Sequence, residues 1–252
     1  MKKVGLVLSG GAVRGLAHIG VLKALQEIGI KPTILSGVSA GSLVGVFYCY
    51  GYSPKEMEEI ALKTNFLNYI KPIIPKKAFF SIKSMSKFLK KYIHISDLSQ
   101  LKIPLYVAVT NLNKGEVEYF NEGDIFTLLR ASSSIPVLFE PVEYKKEIYV
   151  DGGLMNNLPV EPIKDKVDIT IAVEVNPFNK SNGDNIISIS IKSFYLAIRS
   201  NVLLRKNLCD IFIQPEDLAK IPIFATWKSK EAIDIGYKSV INKANEIEMI
   251  VR

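Results

Sequence analysis

Three short segments of this chain bring together residue types able to cleave an ester. The first is Gly37-Val38-Ser39-Ala40-Gly41, a G-x-S-x-G pentapeptide between a predicted strand and a predicted helix. In that setting the turn is so tight that the serine takes a strained backbone conformation, and the small residues Gly37 and Gly41 let the neighbouring chain pass. The hydroxyl then stands above the sheet at a helix N-terminus, where the dipole favours a developing anion. The same pentapeptide also serves as a plain turn whose serine only caps the helix.

The second segment is Ser9-Gly10-Gly11-Ala12-Val13-Arg14-Gly15, which follows the first strand and precedes a helix. Consecutive glycines let backbone N–H groups point outward together and cradle an anion. A phosphate loop would need a terminal Lys-Ser/Thr, which Gly15-Leu16 does not supply, and the glycine order is wrong for a dinucleotide fingerprint. An oxyanion hole beside Ser39 needs only free N–H groups, offered here by Gly10, Gly11 and Ala12. Arg14 serves to orient this loop or an anionic substrate, or is a surface residue in a helix's first turn.

A serine nucleophile needs a base. His18 sits in the first helix and reads as packed or hydrogen-bonded structure, and His94 has no orienting acid nearby in sequence. Asp151, at the exit of a predicted hairpin and followed by Gly152-Gly153, is the stronger candidate. Taken by itself, an Asp-Gly pair is also a common β-turn.

The elements that must hold these segments are strands alternating with helices. Strands are expected at 4–8, 33–36, 105–110, 116–120, 169–175 and 210–213, with a hairpin over 142–150. Helices are expected at 16–28, 40–50, after Ser53-Pro54, and at 124–131, 191–208 and 230–250. The polar stretch 179–185 reads as a loop. This order predicts a three-layer α/β/α sandwich with a mostly parallel central sheet.

Four of the segments together resemble the sequence blocks of the patatin-like phospholipases, in family order. Residues 8–22 resemble their oxyanion block, and Gly37 to Ser42 their nucleophile block. Ala131-Ser132-Ser133-Ser134-Ile135-Pro136 is similar to their Ala-Ser-x-x-x-Pro block, and Asp151 to Pro159 to their Asp-Gly-Gly/Ala block. Ile233-Asp234-Ile235-Gly236-Tyr237 is similar to their closing helix. The resemblance implies a Ser39–Asp151 dyad without histidine, and no metal or cofactor. It further implies an oxyanion hole at Gly10, Gly11 and Ala12, supported by Arg14, Gly37 and Gly41, with Ser132 to Ser134 shaping the wall. Family members usually carry a third glycine where this chain has Ala12. If that position needs φ > 0, alanine strains the hole.

Composition narrows the setting. The 252 residues are 48% apolar and 23% charged, as in a folded globular chain and unlike a disordered or polytopic membrane one. Two cysteines, Cys49 and Cys209, cannot build a disulfide framework. The net charge of +7 is concentrated. Residues 63–102 hold nine lysines, no arginine and the single acid Asp97, leaving the rest of the chain near neutrality. Nucleic acid is not the expected partner, because arginines spread over a face are missing. The expectation is one hydrolase domain over 1–252 with a basic cap-like insert at about 63–102.

Within the insert, residues 81–93 fit one helix with Ile82, Met85, Phe88, Leu89, Tyr92 and Ile93 on one side. Lys83, Lys87, Lys90 and Lys91 fall on the other. By pattern alone that favours a globular helix with a solvated lysine face over an interfacial helix on anionic lipid. The insert's place between the nucleophile helix and the strand at 105 shifts the expectation to a mobile cap that docks on anionic membrane through these lysines.

The apolar run after Met1-Lys2-Lys3 is too short for a signal peptide. The uncharged stretch 32–54 reads as a buried strand and helix rather than a membrane span. The expected location is cytoplasmic, peripheral at the inner membrane face. The expected function is a phospholipase A-type or lysophospholipase-type serine acyl hydrolase. The alternatives are a soluble carboxylesterase or thioesterase, and a catalytically weak lipid-binding module.

Overall fold

The computed structural model describes residues 2–178 and 185–252. The chain opens with β1 (Val4–Leu8), a 3-10 turn (Ala12–Leu16), α1 (Ala17–Glu27), β2 (Ile34–Val38), α2 (Ala40–Tyr50) and α3 (Pro54–Lys63). The insert holds β3 (Lys71–Pro72), β4 (Phe80–Ser81) and the short α4 (Met85–Leu89). Next come β5 (Leu105–Asn111), β6 (Glu116–Phe120), α5 (Ile125–Ser132), β7 (Val142–Tyr144) and β8 (Glu147–Asp151). The chain closes with β9 (Ile169–Val173), α6 (Ile186–Arg205), β10 (Ile211–Ile213), α7 (Ser229–Ile241) and α8 (Ala244–Val251).

The main sheet runs β10–β9–β1–β2–β5–β8–β7, with β6 on the second edge of β5. The first five are mutually parallel, whereas β5–β6, β5–β8 and β7–β8 are antiparallel. Strands β1, β2 and β9 are buried along their whole length, which is why they carry no charge and lack the alternation of a half-exposed strand. One face of the sheet carries the larger core. There Leu6, Leu8 and Leu35 meet residues of α1, α2, α5 and α7 such as Leu22, Val46, Leu128 and Ile233. On the other face Val7, Ile34 and Ala172 meet Ile163 from the segment after β8, and Ile198 and Val202 from α6. Both faces are therefore covered, the second by a much thinner layer.

Register on β5 matters for the site. Strand β2 pairs along its first half, ending with Val38 opposite Ala108, and β8 pairs along its second half, starting with Asp151 opposite Val109. Because β6 pairs with residues 107–111 of β5, both β2 and β8 must lie on the opposite edge. They meet head to head there, and their ends bring Ser39 and Asp151 together.

Three expected elements differ in extent. The helix expected at 191–208 begins at Ile186, because Asn185 and Ser188 form a capping box, and ends at Arg205. Residues 179–184 of the expected 179–185 loop lie outside the described residues. The closing helix of 230–250 breaks after Ile241, where Asn242 and Lys243 donate to Lys238 and Val240, so that α8 buries Ile247 and Val251. The 81–93 helix is α-helical only over Met85–Leu89, with 3-10-type bonds on either side (Met85 to Ile82, Tyr92 to Leu89). Among the described residues, no helix is long and apolar enough to cross a membrane. The uncharged stretch 32–54 forms β2 and α2.

Candidate active site

Ser39 follows the last residue of β2 and caps α2 with φ 51° and ψ −126°, a left-handed conformation rare outside glycine. Three contacts hold it there. The Ser39 N–H donates to the Ser132 hydroxyl at 2.8 Å, and that hydroxyl in turn donates to the Ala108 carbonyl at 2.7 Å. The Ser39 carbonyl accepts from the Ser42 hydroxyl at 2.7 Å and from the Leu43 N–H. The turn is also wedged by backbone. A Cβ at Gly41 would overlap the Leu8 carbonyl oxygen, and one at Gly10 would lie 3.0 Å from the Ser39 Cβ. The pentapeptide and the glycine loop thus need small residues because they pack on one another.

Asp151 ends β8 and is 2% exposed. Its N–H donates to the Ser134 carbonyl at 2.9 Å, and its carboxylate accepts the Gly153 N–H at 2.8 Å and faces the Ser39 hydroxyl. Burial pushes the carboxyl up to about 7, against the opposing pull of Gly153 and Ser39. A carboxylate titrating there is a far better proton acceptor at neutral pH than an ordinary aspartate.

The glycine loop requires one correction. The Gly10 N–H donates to Asn157 Oδ1 at 3.1 Å, so it is not a free oxyanion donor. Among the described residues, the N–H groups of Gly11 and Ala12 have no acceptor. Ala12 has φ 48°, so the position occupied by glycine in the resembled family is left-handed here, and alanine adopts it. The loop is tied from behind. Asn176 Nδ2 donates to the Gly10 carbonyl at 2.6 Å, the Ser9 hydroxyl accepts the Val175 N–H at 3.0 Å, and the Val13 N–H donates to Ile223 at 3.0 Å.

Arg14 is neither a surface residue nor open to substrate at Ser39. It is 7% exposed, its Nε donates to the Ile221 carbonyl at 2.7 Å, and its charge lies near the buried Glu174. Glu174 accepts from Asn176 and from Gln214 Nε2, at 2.6 Å for the latter, so Arg14 and Asn176 belong to one buried assembly behind the loop. His18 is fully buried and bonds the Ser9 carbonyl from Nε2 at 2.8 Å, and burial pushes it down to about 4. It is a neutral brace of the loop, bonded to Ser9 and not to the Ser39 hydroxyl among the described residues. His94 is exposed on the insert.

A cavity of about 190 Å³ opens beside Ser39 and Ala12. Its walls are almost wholly apolar, with Leu43, Val44 and Phe47 from α2 and Met57 from α3. The insert forms the facing wall through Phe66, Ile70, Ile82, Met85 and Phe88. Ser133, adjacent to the elbow-bracing Ser132, contributes a buried hydroxyl with no partner among the described residues. Lys83, Lys87, Lys90 and Lys91 are exposed on the outside. Lys83 approaches Glu140 at 3.5 Å and Lys90 lies over the Phe126 ring at 5.0 Å. The apolar side of the insert is therefore turned inward, with Phe88, Leu89 and Ile93 in the core, and is not laid open for lipid.

Sequence reasoning placed Ser39, Asp151, Gly11, Ala12, Gly37 and Gly41, and the fold gathers them. It missed Asn157, Asn176, Asn201 and Glu174. Asn201 Oδ1 accepts the Asn157 N–H at 2.9 Å, so α6 fixes the residue that orients Gly10. The only signal for Asn157 was its position after Asp-Gly-Gly. An amide both donates and accepts, which suits it to holding a peptide unit. Among the described residues no group of acids, histidines and cysteines is placed to hold a metal.

The chain is similar to several known proteins. The chain is 30% identical over 206 residues to lysophospholipase nte1 of Aspergillus fumigatus, covering 77% of this chain and 13% of that one. It is 33% identical over 186 residues to lysophospholipase NTE1 of Coccidioides immitis, covering 69% and 12%. An uncharacterized NTE family protein of Mycobacterium bovis is 30% identical over 181 residues, covering 69% of this chain and 49% of that one. The chain thus spans about an eighth of the fungal relatives and half of the bacterial one. Among solved structures, VipD from Legionella pneumophila superposes with TM-score 0.58 at 16% identity, covering 97% of this chain and 67% of that one, a likeness of fold. The sequence model described as Patatin-like phospholipase matches residues 6–164, from β1 through both site segments to beyond Asp151, and the chain belongs to that family.

Proposed function

We propose that this chain is a serine lipid acyl hydrolase of phospholipase A or lysophospholipase type, working through Ser39 and Asp151. The observation that carries the reading is the strained Ser39, its hydroxyl facing a buried carboxylate that titrates near neutrality. Ser39 Oγ attacks the ester carbonyl carbon while Asp151 takes its proton. The carbonyl oxygen, now negative, is received by the Gly11 and Ala12 N–H groups at the mouth of the glycine loop. Asp151 returns the proton to the leaving alcohol as the C–O bond breaks. Asp151 then takes a proton from water as it attacks the acyl-serine carbon, and hands that proton to Ser39 Oγ as the C–Oγ bond breaks and the acid leaves.

The apolar cavity beside Ser39 suits the acyl chain, with the insert acting as its cap. This favours long acyl esters over the small esters of a soluble carboxylesterase. The exposed Lys83, Lys87, Lys90 and Lys91 present that cap to an anionic membrane, at the cytoplasmic face. Liposome binding that needs anionic lipid and weakens with salt is the expected result. Equal binding to neutral vesicles removes the lysine contact from the proposal.

A fluorophosphonate probe tests the chemistry. Wild type should label at Ser39, Ser39→Ala should not, and only wild type should release fatty acid from a mixed lipid extract. Absence of labelling in a folded wild type favours the binding-module alternative.

A further inference from the structure

Helix α6 carries a feature that the reaction does not use. It is anchored on one side, where Ile198 and Val202 join the core and Asn201 holds Asn157. On its outer side Ile186, Ile189, Leu196, Leu203 and Leu204 are between 49% and 78% exposed. At about 100° per residue, these five fall within one arc of about 100° along the full helix. An outward apolar row of this length is unusual on a water-facing helix.

Charge says what covers it. Lys192, Arg199 and Lys206 follow at seven-residue spacing, in a row directly beside the apolar arc, and α6 contains no acid. The charged groups of two of them lie over aromatic rings. Arg199 lies over Phe178 and Lys206 over Phe212, each 5.0 Å from the ring centre, at the edge of a groove of about 480 Å³. An apolar arc with a cationic border is the makeup of a helix lying in a bilayer interface, apolar side among acyl chains and cations level with phosphates.

The helix is also well placed to deliver lipid. Ile191 and Phe194 from its first half pack on the buried cluster of Ile82, Ile135, Leu138 and Phe139, and Ile82, Ile135 and Phe139 line the apolar cavity beside Ser39. Trp227, the only tryptophan, is 77% exposed three residues beyond Phe224. Tryptophan favours the water–lipid boundary, where its ring is buried and its N–H stays wet.

We propose that α6 is the element that seats this chain on an anionic bilayer. Ile186, Leu196, Leu203 and Leu204 enter the acyl layer, and Lys192, Arg199 and Lys206 meet the lipid phosphates. The inference rests on the lipid hydrolase reading, and it places the apolar contact on α6 instead of the inward-turned insert.

The test uses phosphatidylcholine vesicles with and without phosphatidylglycerol, read by co-sedimentation and by the blue shift of Trp227 fluorescence. The expected result is that Leu196→Asp/Leu203→Asp weakens partition onto anionic vesicles by about tenfold or more. Its hydrolysis of a short water-soluble ester should remain at the wild-type level, which also shows the variant folded. Lys192→Glu/Arg199→Glu should lose the preference for phosphatidylglycerol. Wild-type partition by both double variants overturns the proposal. So does a wild-type dimer in solution that the Asp variant abolishes, since a second copy then covers the row. A wild type that partitions through α6 but cleaves no ester sinks the hydrolase reading and leaves the docking face standing.

Discussion

Val38 and Asp151 occupy consecutive pairing positions on one edge of β5, Val38 opposite Ala108 and Asp151 opposite Val109. Two strands arriving from opposite directions therefore end one residue apart. The side chains that follow from this, Ser39 and Asp151, are set by sheet hydrogen bonds and not by a flexible loop. Rigid placement of this kind is what a dyad requires, since a displacement of about 1 Å costs roughly 10²-fold in rate.

Asp151 predicts the pH profile. As a base it must be ionised, so kcat/KM should rise with pH through about 7 and level off above it. Asp151→Asn keeps the acceptor for the Gly153 N–H but takes no proton, and should lower hydrolysis by about 10²–10⁴-fold. The effect on stability has the opposite sign. A raised carboxyl favours the fold while protonated, so this contribution is complete below about pH 4 and is lost as pH rises through about 7. At pH 8 the asparagine variant should melt above wild type in a thermal scan. A flat rate between pH 5 and 9 would remove Asp151 from the role of base.

Ala12 predicts a gain. Its left-handed backbone costs about 1 kcal/mol that glycine avoids. Ala12→Gly should raise thermal stability by about that amount while keeping both free N–H groups and the turnover. Ala12→Val, β-branched at a positive φ, should lose most hydrolysis with little change in KM. Steady-state kinetics and melts on the pair decide it. A destabilised glycine variant contradicts the strain argument.

Ser132 predicts that the elbow can be loosened without touching Ser39. Its hydroxyl joins the Ser39 N–H to the Ala108 carbonyl, and all three are buried. Ser132→Ala leaves both groups unsatisfied and should cost about 1–3 kcal/mol. The loss should fall on kcat more than on KM, because Ser39 shifts while the apolar cavity stays. Unchanged kcat would mean that the elbow holds itself.

His18 predicts an acid effect without a chemical one. Its pKa is held down to about 4, below its unfolded value near 6.5. Neutral His18 therefore contributes fully above about pH 6.5, and the contribution is lost as pH falls toward 4. His18→Gln should lessen the loss of stability between pH 6.5 and 4 and still hydrolyse ester. A folded, inactive variant would bring histidine back into the reaction.

Much of the site was legible in the sequence because the constraints there are local. A tight strand-to-helix turn demands small residues on both sides of Ser39, and a loop that presents its N–H groups demands glycines. Unbroken apolar runs mark parallel strands covered on both faces. Those rules located Ser39, the glycine loop and the parallel half of the sheet, while motif resemblance alone raised Asp151 above an ordinary turn.

What only the tertiary structure decided depends on partners far apart in the chain. Gly10 and Gly11 look alike in sequence, yet Asn157 takes the N–H of Gly10 and leaves that of Gly11 open. Sequence leaves Arg14 open between the loop, an anionic substrate and the surface, whereas Ile221 and Glu174 hold it buried behind the loop. The insert shows one apolar and one basic side, a pattern that both a bilayer and a protein core satisfy. Packing turned the apolar side inward and left the outward apolar row on α6. Local sequence sets which conformations are cheap, and long-range packing sets which polar groups remain unpaired and free to act.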